Sequence, residues 1–416
     1  MRSRMSTIPN PIHPAIAAYA IRNGTMLVGD MPIERLAVQV GTTPFFAYDR
    51  KHISDRIAEL REYLPKSICL SYAIKANPMA AVVQHIAALV DGFDVASGQE
   101  MTIALDTPMS SRNVSFAGPG KSTGDLRRAI AAGIQINAES VGELTRIAEE
   151  AMSIGAMPRI ALRVNPAFEL KASGMKMGGG PKPFGIDEED IPDALNQLSR
   201  LNLSCTGFQI FCGSQILSAT ALAEAQEKTV SLALSLARRS GHEITYINIG
   251  GGFGIPYFPK DEPLNLKAVG ENLRRLTSLA ACDLPKAHMV IELGRYIVGE
   301  AGVYVCQVID KKVSRDTVYL VTNGGLHHHL AASGNLGQVI RRNFPVAVGN
   351  RMEDTETETV TVVGCLCTPL DIIAEKVTLP KAQVGDFIVV FQSGAYAATA
   401  SPTSFLSHPT APEILV

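Results

Sequence analysis

ICLSYAIKA (residues 68–76), a helix-spaced stretch over 78–90 and then GFDVAS (92–97) follow one another in an order that decides the fold. A short apolar, β-branched run reads as a strand buried on both faces, and the longer stretch after it carries the 3.6-residue period of a helix. The same grammar recurs in NVSFAGPGK (113–121), GIQINAES (133–140), RIALRVNP (159–166), TGFQIFCGS (206–214), YINIGGG (246–252) and HMVIELGR (288–295), which makes eight runs. Helical spacing fills 122–132, 140–155, 216–240 and 264–281 between them. Strands alternating with helices predict parallel pairing with crossover connections, closing into a (β/α)8 barrel; an open doubly wound sheet is the alternative. Polar residues gather at the C-terminal ends of many different runs, which a barrel brings around one mouth, and this favours the barrel.

Beyond about residue 300 the long helical stretches stop. GVYVCQVIDKKVS, TVYLVTN, ETVTVVGCLC and DFIVVFQSG read as strands separated by polar or Gly/Pro-containing segments, a second and mostly β domain. FFAYD (45–49) is a strand the barrel does not need, so the first forty or so residues are expected to pair with that domain. The expected division is 1–44 as an N-terminal segment, 45–297 as the barrel and 298–416 as the β domain. GNRMEDTETET (349–359) reads as a surface loop or hairpin tip.

The chain has 416 residues, 46% hydrophobic and 19% charged, enough for two cores. A net charge of −2 from 38 basic and 40 acidic residues argues against nucleic acid or an anionic membrane as partner. Seven scattered cysteines, with Cys365 and Cys367 out of CxxC spacing, give neither a disulfide framework nor a zinc motif, and a reducing cytoplasm is expected. Pro, Asn and His interrupt the N-terminal twenty residues, and no apolar run is long enough to span a bilayer, so a soluble, unprocessed protein is expected.

Three places can carry chemistry. Lys75 ends an apolar run in YAIKANP; it is either a strand-end lysine with a snorkelling amine or a nucleophile poised for a carbonyl group. Gly250–Gly252 in NIGGGFG form either a plain turn or a backbone cradle for a phosphate. Glu292 and Arg295 in IELGRY form either a local ion pair or two separate ligands, the arginine for phosphate and the carboxylate for a protonated heterocyclic nitrogen. Three adjacent histidines, His327–His329, cannot all reach one ion from a regular strand, so no metal is expected there and they read as polar lining of a pocket mouth.

The motifs YAIKANP, FDVASGQE, GPGK, NAES, RVNP, GFQIFCGSQ, NIGGGFG, ELGRYIVGEAG, CLCTPLD and SGAY, in this order over roughly residues 42–410, resemble the fold-type III pyridoxal-phosphate decarboxylases of the ornithine/diaminopimelate group. That resemblance implies an alanine-racemase-like barrel with a C-terminal β domain, working as a homodimer with shared active sites. It makes Lys75 the Schiff-base lysine for pyridoxal 5'-phosphate, and Gly250, Gly251, Gly252 and Arg295 the phosphate site, with Ser214 and Tyr396 as further cofactor contacts. Asp94 and Glu100 match acidic residues near the lysine, Phe211 takes the position of a stacking imidazole, and Glu292 matches the carboxylate that pairs with the pyridine nitrogen. A carboxylate there favours decarboxylation over racemisation. Cys367 matches the cysteine that reprotonates Cα from the second subunit.

Departures from the group bear on the substrate. Diaminopimelate and ornithine enzymes follow the cysteine with an acid that receives a distal ammonium, whereas Thr368 stands here, and the positions that hold a distal carboxylate correspond to Ala331 and Asn335. Gln209 replaces an occasional histidine. Thr368, His328 and Asp371 are expected at the substrate end. With SGMKMGGGPKPFG (173–185), GGLHHH and CTPLD, these changes resemble the branch acting on an amino acid carried by an acyl carrier protein, such as L-glutamyl-carrier-protein decarboxylases, and the exosortase-associated decarboxylases. A free-amino-acid decarboxylase and a non-catalytic regulatory homologue that only binds the cofactor are the alternatives. Lys171, Lys176, Lys182, Arg341 and Arg342 are the expected docking cations for an acidic carrier.

Overall fold

Serine at the ends of apolar runs sets where the helices begin. Ser97, Ser122 and Ser140 each accept the backbone N–H three residues on, from Glu100, Asp125 and Glu143. A cap of this kind is worth about 1 kcal/mol and starts the helix directly after the strand, which fixes the strand-end loops. The computed structural model describes residues 13–169, 175–176, 178–336, 338 and 340–416, with the side chains of 175 and 176 outside that description. It divides into two units: Arg50–Pro256 with Glu262–Ala301, and the chain up to Asp49 with Tyr257–Asp261 and Gly302–Val416.

In the first unit eight parallel strands close on themselves: β1 (Ile68–Ala73), β2 (Gly92–Val95), β3 (Val114–Phe116), β4 (Gln135–Ala138), β5 (Arg159–Asn165), β6 (Cys205–Ile210), β7 (Tyr246–Gly251) and β8 (His288–Leu293). Each pairs with the next in sequence, and β8 returns to β1 through Met289↔Ile68 to Leu293↔Tyr72, so the sheet is a closed barrel and not the open alternative. The expected crossover helices are present as Ala80–Ile86, Thr123–Ala132, Val141–Ile154, Ala219–Arg239 and Leu266–Asp283. Leu70, Tyr72, Phe93, Phe116, Ile136, Leu162, Phe208 and Ile291 are at most 1% exposed. Each such side chain contributes about 1.5–3 kcal/mol when taken from water.

The second unit is built around the long strand β9 (Gly302–Ser314), which turns into β10 (Thr317–Thr322). β11 (Val346–Val348), β12 (Thr357–Val363), β13 (Ile372–Pro380) and β14 (Phe387–Val390) complete its main sheet. Phe45–Tyr48 pairs antiparallel with Gly302–Val305 of β9, and Glu413–Leu415 adds parallel on its other side. Met26, Val28, Ile33, Leu36, Phe45, Val303, Val305, Val389 and Phe391 form the core beneath. The stretch ETVTVVGCLC holds strand geometry only to Val363, because Gly364 and Leu366 leave the ladder to bond Asp371. β13 was not foreseen: the adjacent charges Glu375 and Lys376 at its middle make it read as surface chain until its pairing with β12 is known. All seven cysteines are free thiols. Among the described residues no helix is long and apolar enough to cross a membrane.

Candidate active site

β1 ends in a 3-10 turn, Ile74–Ala76, which lifts Lys75 off the strand while Ile74 and Ala76 stay buried. The Lys75 side chain is 43% exposed, its Nζ lies 3.8 Å from Asp94 Oδ2 at the end of β2, and it sits 5.8 Å from the Phe211 ring centroid beyond β6. Asp94 is 1% exposed; its Oδ1 accepts from Ser115 Oγ at 3.1 Å, whereas among the described residues Oδ2 has no hydrogen-bond partner. Burial, reinforced by Glu292, pushes the Asp94 carboxyl well above the carboxylate range against the pull of Lys75. Glu100 is raised by burial as well, against the Ala96 N–H that it accepts.

Glu292, buried on β8, accepts from Gln209 Nε2 at 2.7 Å and from Asn248 Nδ2. Asn248 also takes the Gly250 N–H on its Oδ1 at 2.9 Å, so one side chain couples the carboxylate to the glycine turn. Gly250 and Gly252 have φ of +67° and +83°, and alternation of left-handed and ordinary φ turns consecutive N–H groups to one side, as in an anion nest. A Cβ at Gly251 would run into the Glu292 carbonyl, and one at Gly252 would lie 2.6 Å from the Gly213 carbonyl oxygen. Ser214 lies in the short strand Gly213–Ser214 alongside, and Arg295 opens the helix Arg295–Val298 directly after β8. The sequence reading missed Asn248 as a link; its signal was an Asn two residues before a glycine, the spacing of an Asx turn.

A different lysine of the barrel, Lys121, is buried. Lys121 donates to the Gly118 and Asn137 carbonyls and to Glu143 Oε1 at 2.8–2.9 Å, which commits all three ammonium hydrogens. Lys75, whose side chain is 43% exposed, is not buried in this way.

The remaining expected residues lie in the β unit. Cys367 is exposed and Thr368 half-buried on the turn between β12 and β13, and Tyr396 is half-buried with φ +60°. His328 is buried with both ring nitrogens engaged, by Tyr304 Oη at 3.1 Å and the Pro409 carbonyl at 2.8 Å. Asp371, 3% exposed, accepts from the N–H groups of Leu326 and Leu366 on its two oxygens. These two are therefore tied into the domain instead of presenting free polar atoms. The three histidines part company: His329 bonds Ser393 Oγ and the Ala332 N–H, and burial holds its pKa down to about 3. His327 instead faces Cys365 and His408, a grouping that the sequence reading did not foresee.

The barrel residues fit pyridoxal phosphate on two observations: a buried carboxylate oxygen, Asp94 Oδ2, beside the lysine and without a hydrogen-bond partner among the described residues, and a glycine turn that admits no Cβ. Fold and site thus define a pyridoxal-phosphate enzyme built on a (β/α)8 barrel. Residues 50–299 match the model of the pyridoxal-dependent decarboxylases, pyridoxal binding domain. The chain is 35% identical over 379 residues to the L-glutamyl-[BtrI acyl-carrier protein] decarboxylase of Niallia circulans, covering 90% of this chain and 88% of that one. It is 30% identical over 398 residues to diaminopimelate decarboxylase of Aquifex aeolicus, covering 95% and 91%. The structure of Helicobacter pylori diaminopimelate decarboxylase complexed with L-lysine superposes with a TM-score of 0.82 at 26% identity, covering 92% and 94%. The chain belongs to the pyridoxal-dependent decarboxylases, and it is a carboxy-lyase that uses pyridoxal phosphate on an amino-acid substrate.

Proposed function

We propose that the enzyme removes the α-carboxylate of an amino acid, of glutamyl type, tethered to an acyl carrier protein. Bound pyridoxal phosphate supplies an electron sink for the pair left at Cα when CO₂ departs. Lys75 holds the cofactor covalently. Gly250–Gly252, Ser214 and Arg295 take its phosphate, with Tyr396, and Phe211 stacks on its ring. Glu292 keeps a proton on the ring nitrogen, and the N–H donors of Gln209 and Asn248 hold that carboxylate in place. Asp94, disposed by burial to keep its own proton, stands next to the lysine amine. Cys367 returns a proton to Cα. Cys367 serves the barrel of the second subunit across a homodimer.

One observation carries the carrier reading beyond similarity to the Niallia enzyme. The carboxylate nearest to Cys367 in sequence, Asp371, has both oxygens committed to backbone N–H groups, and the residue after Cys367 is the neutral Thr368. Asn335, at a position expected to anchor a distal carboxylate, donates to Ser333 Oγ instead. A distal ammonium or carboxylate would meet no opposite charge from these residues, whereas a side chain esterified to a carrier presents neither.

Of the expected docking cations, Lys171 and the side chain of Lys176 lie outside the described residues. Arg341 donates to the Ile372 carbonyl at 2.8 Å, which makes it part of the β unit's scaffold. Arg342 is exposed, its guanidinium 3.5 Å from the Phe258 ring centroid, and is the better docking charge. Steady-state CO₂ release from carrier-loaded and free amino acids tests the reading. The carrier-bound substrate should be preferred, and Arg342→Glu should lower its kcat/KM about tenfold at low salt with less effect on free substrate. Efficient, salt-insensitive decarboxylation of free diaminopimelate or ornithine would support the second reading, a free-amino-acid decarboxylase like the Aquifex relative.

A further inference from the structure

We propose that His327, Cys365 and His408, in the β unit, form a site for a borderline-soft divalent cation of the zinc class. Each offers one donor atom, and these atoms all lie within 4.8 Å of one another. Cys365 Sγ is 3.9 Å from His408 Nδ1 and 4.0 Å from its Nε2, and the His327 and His408 rings are 5.0 Å apart between centroids. Zinc bound tetrahedrally at its usual bond lengths places such donors roughly 3.3–3.7 Å apart. The widest pair is therefore at most about 1–1.5 Å from closure, a distance that side-chain rotation of the half-buried Cys365 and His408 covers.

His327 makes the case that this grouping is more than proximity. It is 0% exposed, and among the described residues neither ring nitrogen has a hydrogen-bond partner, although its neighbours His328 and His329 are both bonded. A buried imidazole with both nitrogens unmet is costly, and a metal bond satisfies one of them. The thiol of Cys365 has only a weak donation to the Asn323 carbonyl at 3.7 Å to give up.

The segments that carry the three donors are tied together by the residues next to them. Asp371 accepts from Leu326 N–H at 2.6 Å, directly before His327, and from Leu366 N–H at 2.8 Å, directly after Cys365. His328 bonds the Pro409 carbonyl, directly after His408. Such outer contacts are how proteins set the spacing and orientation of metal ligands. Two imidazoles and a thiol suit zinc and exclude magnesium and calcium, which demand oxygen. On binding, Cys365 releases its thiol proton to solvent as the metal–sulfur bond forms, and both imidazoles bind neutral. Three protein donors leave a fourth position open. The ion would brace the turn that holds Cys367, two residues beyond Cys365.

The test uses the full-length, cofactor-loaded enzyme stripped of metal by chelator and dialysis. Zn²⁺ content after gel filtration should reach one equivalent per chain. Co²⁺ should give tetrahedral d–d bands in the visible, to the red of the cofactor's absorption, that Zn²⁺ abolishes. His327→Ala and Cys365→Ser should lose the equivalent and the bands, whereas Cys367→Ser should keep both. Because His327→Ala can unfold its domain, the wild-type cobalt spectrum and the milder Cys365→Ser decide. Wild type that binds no stoichiometric zinc or gives no tetrahedral cobalt bands, or a bound ion that survives Cys365→Ser, overturns the proposal.

Discussion

Replacing Gly252 by alanine tests the cradle where its geometry is tightest. The residue sits at φ +83°, where a Cβ costs about 1–2 kcal/mol. That Cβ would also lie 2.6 Å from the Gly213 carbonyl oxygen and 3.4 Å from Ile216 Cδ1. The first contact is 0.4 Å short of even a tight 3.0 Å approach, so backbone must move. The two loops are pinned together by Ile216 N–H to the Gly252 carbonyl and Gly254 N–H to the Ile216 carbonyl, and the strain cannot relax cheaply. Overpacking of this kind adds about 1–3 kcal/mol. A total of roughly 2–5 kcal/mol should lower Tm by on the order of 10 °C. Displacement of Gly213–Ser214 should weaken pyridoxal phosphate binding by about 10–100-fold, the equivalent of about 1.4–2.8 kcal/mol. The assays are thermal denaturation and fluorescence titration of the apoenzyme with the cofactor. Gly133→Ala is the control: φ is +70° but nothing lies within 4 Å of its Cβ, so it should cost a few degrees of Tm and leave cofactor affinity alone. Equal cofactor affinity in Gly252→Ala and wild type would refute the cradle.

The buried His329 gives the β unit an acid limit. Its folded pKa, about 3, lies below the ordinary 6.5, so the folded state takes up its proton less readily than the unfolded chain does. The contribution is present above pH 6.5 and is lost as pH falls toward 3, with a slope of about 1.4 kcal/mol per pH unit. Urea midpoints of wild type should therefore fall more steeply between pH 6 and 4 than those of His329→Gln, and parallel curves would disprove the assignment. For the shared site, Lys75→Ala and Cys367→Ala enzymes, each nearly inactive, should regain part of wild-type activity after subunit exchange, because one site in a mixed dimer is intact. Demonstrated exchange with no recovery would remove Cys367 from a partner's site.

Much of the barrel was legible because its strands and helices are read from local periods and its helix starts from Ser-x-x-acid signals at 97, 122 and 140. Lys75, Asp94, Glu292 and the glycine run were visible as polar or flexible residues at strand ends. What joins them was not. The hold of Gln209 and Asn248 on Glu292 spans 83 and 44 residues, and no local pattern announces it. In the β unit, adjacent histidines looked like one feature, yet a turn sends each to a different neighbour 38 to 81 residues away. Asp371, the acid of CTPLD, was expected at the substrate end. Its commitment to two backbone N–H groups depends on the turn leaving β12, where the strand was expected to continue.

Lys75 is the residue on which the proposed chemistry depends most directly. Borohydride reduction of the purified, cofactor-loaded enzyme, followed by digestion and peptide mass spectrometry, should place the reduced pyridoxal phosphate mass on the peptide containing YAIKANP, at Lys75, with about one equivalent per chain. The same mass on Lys121 or another lysine, or on none, would contradict it.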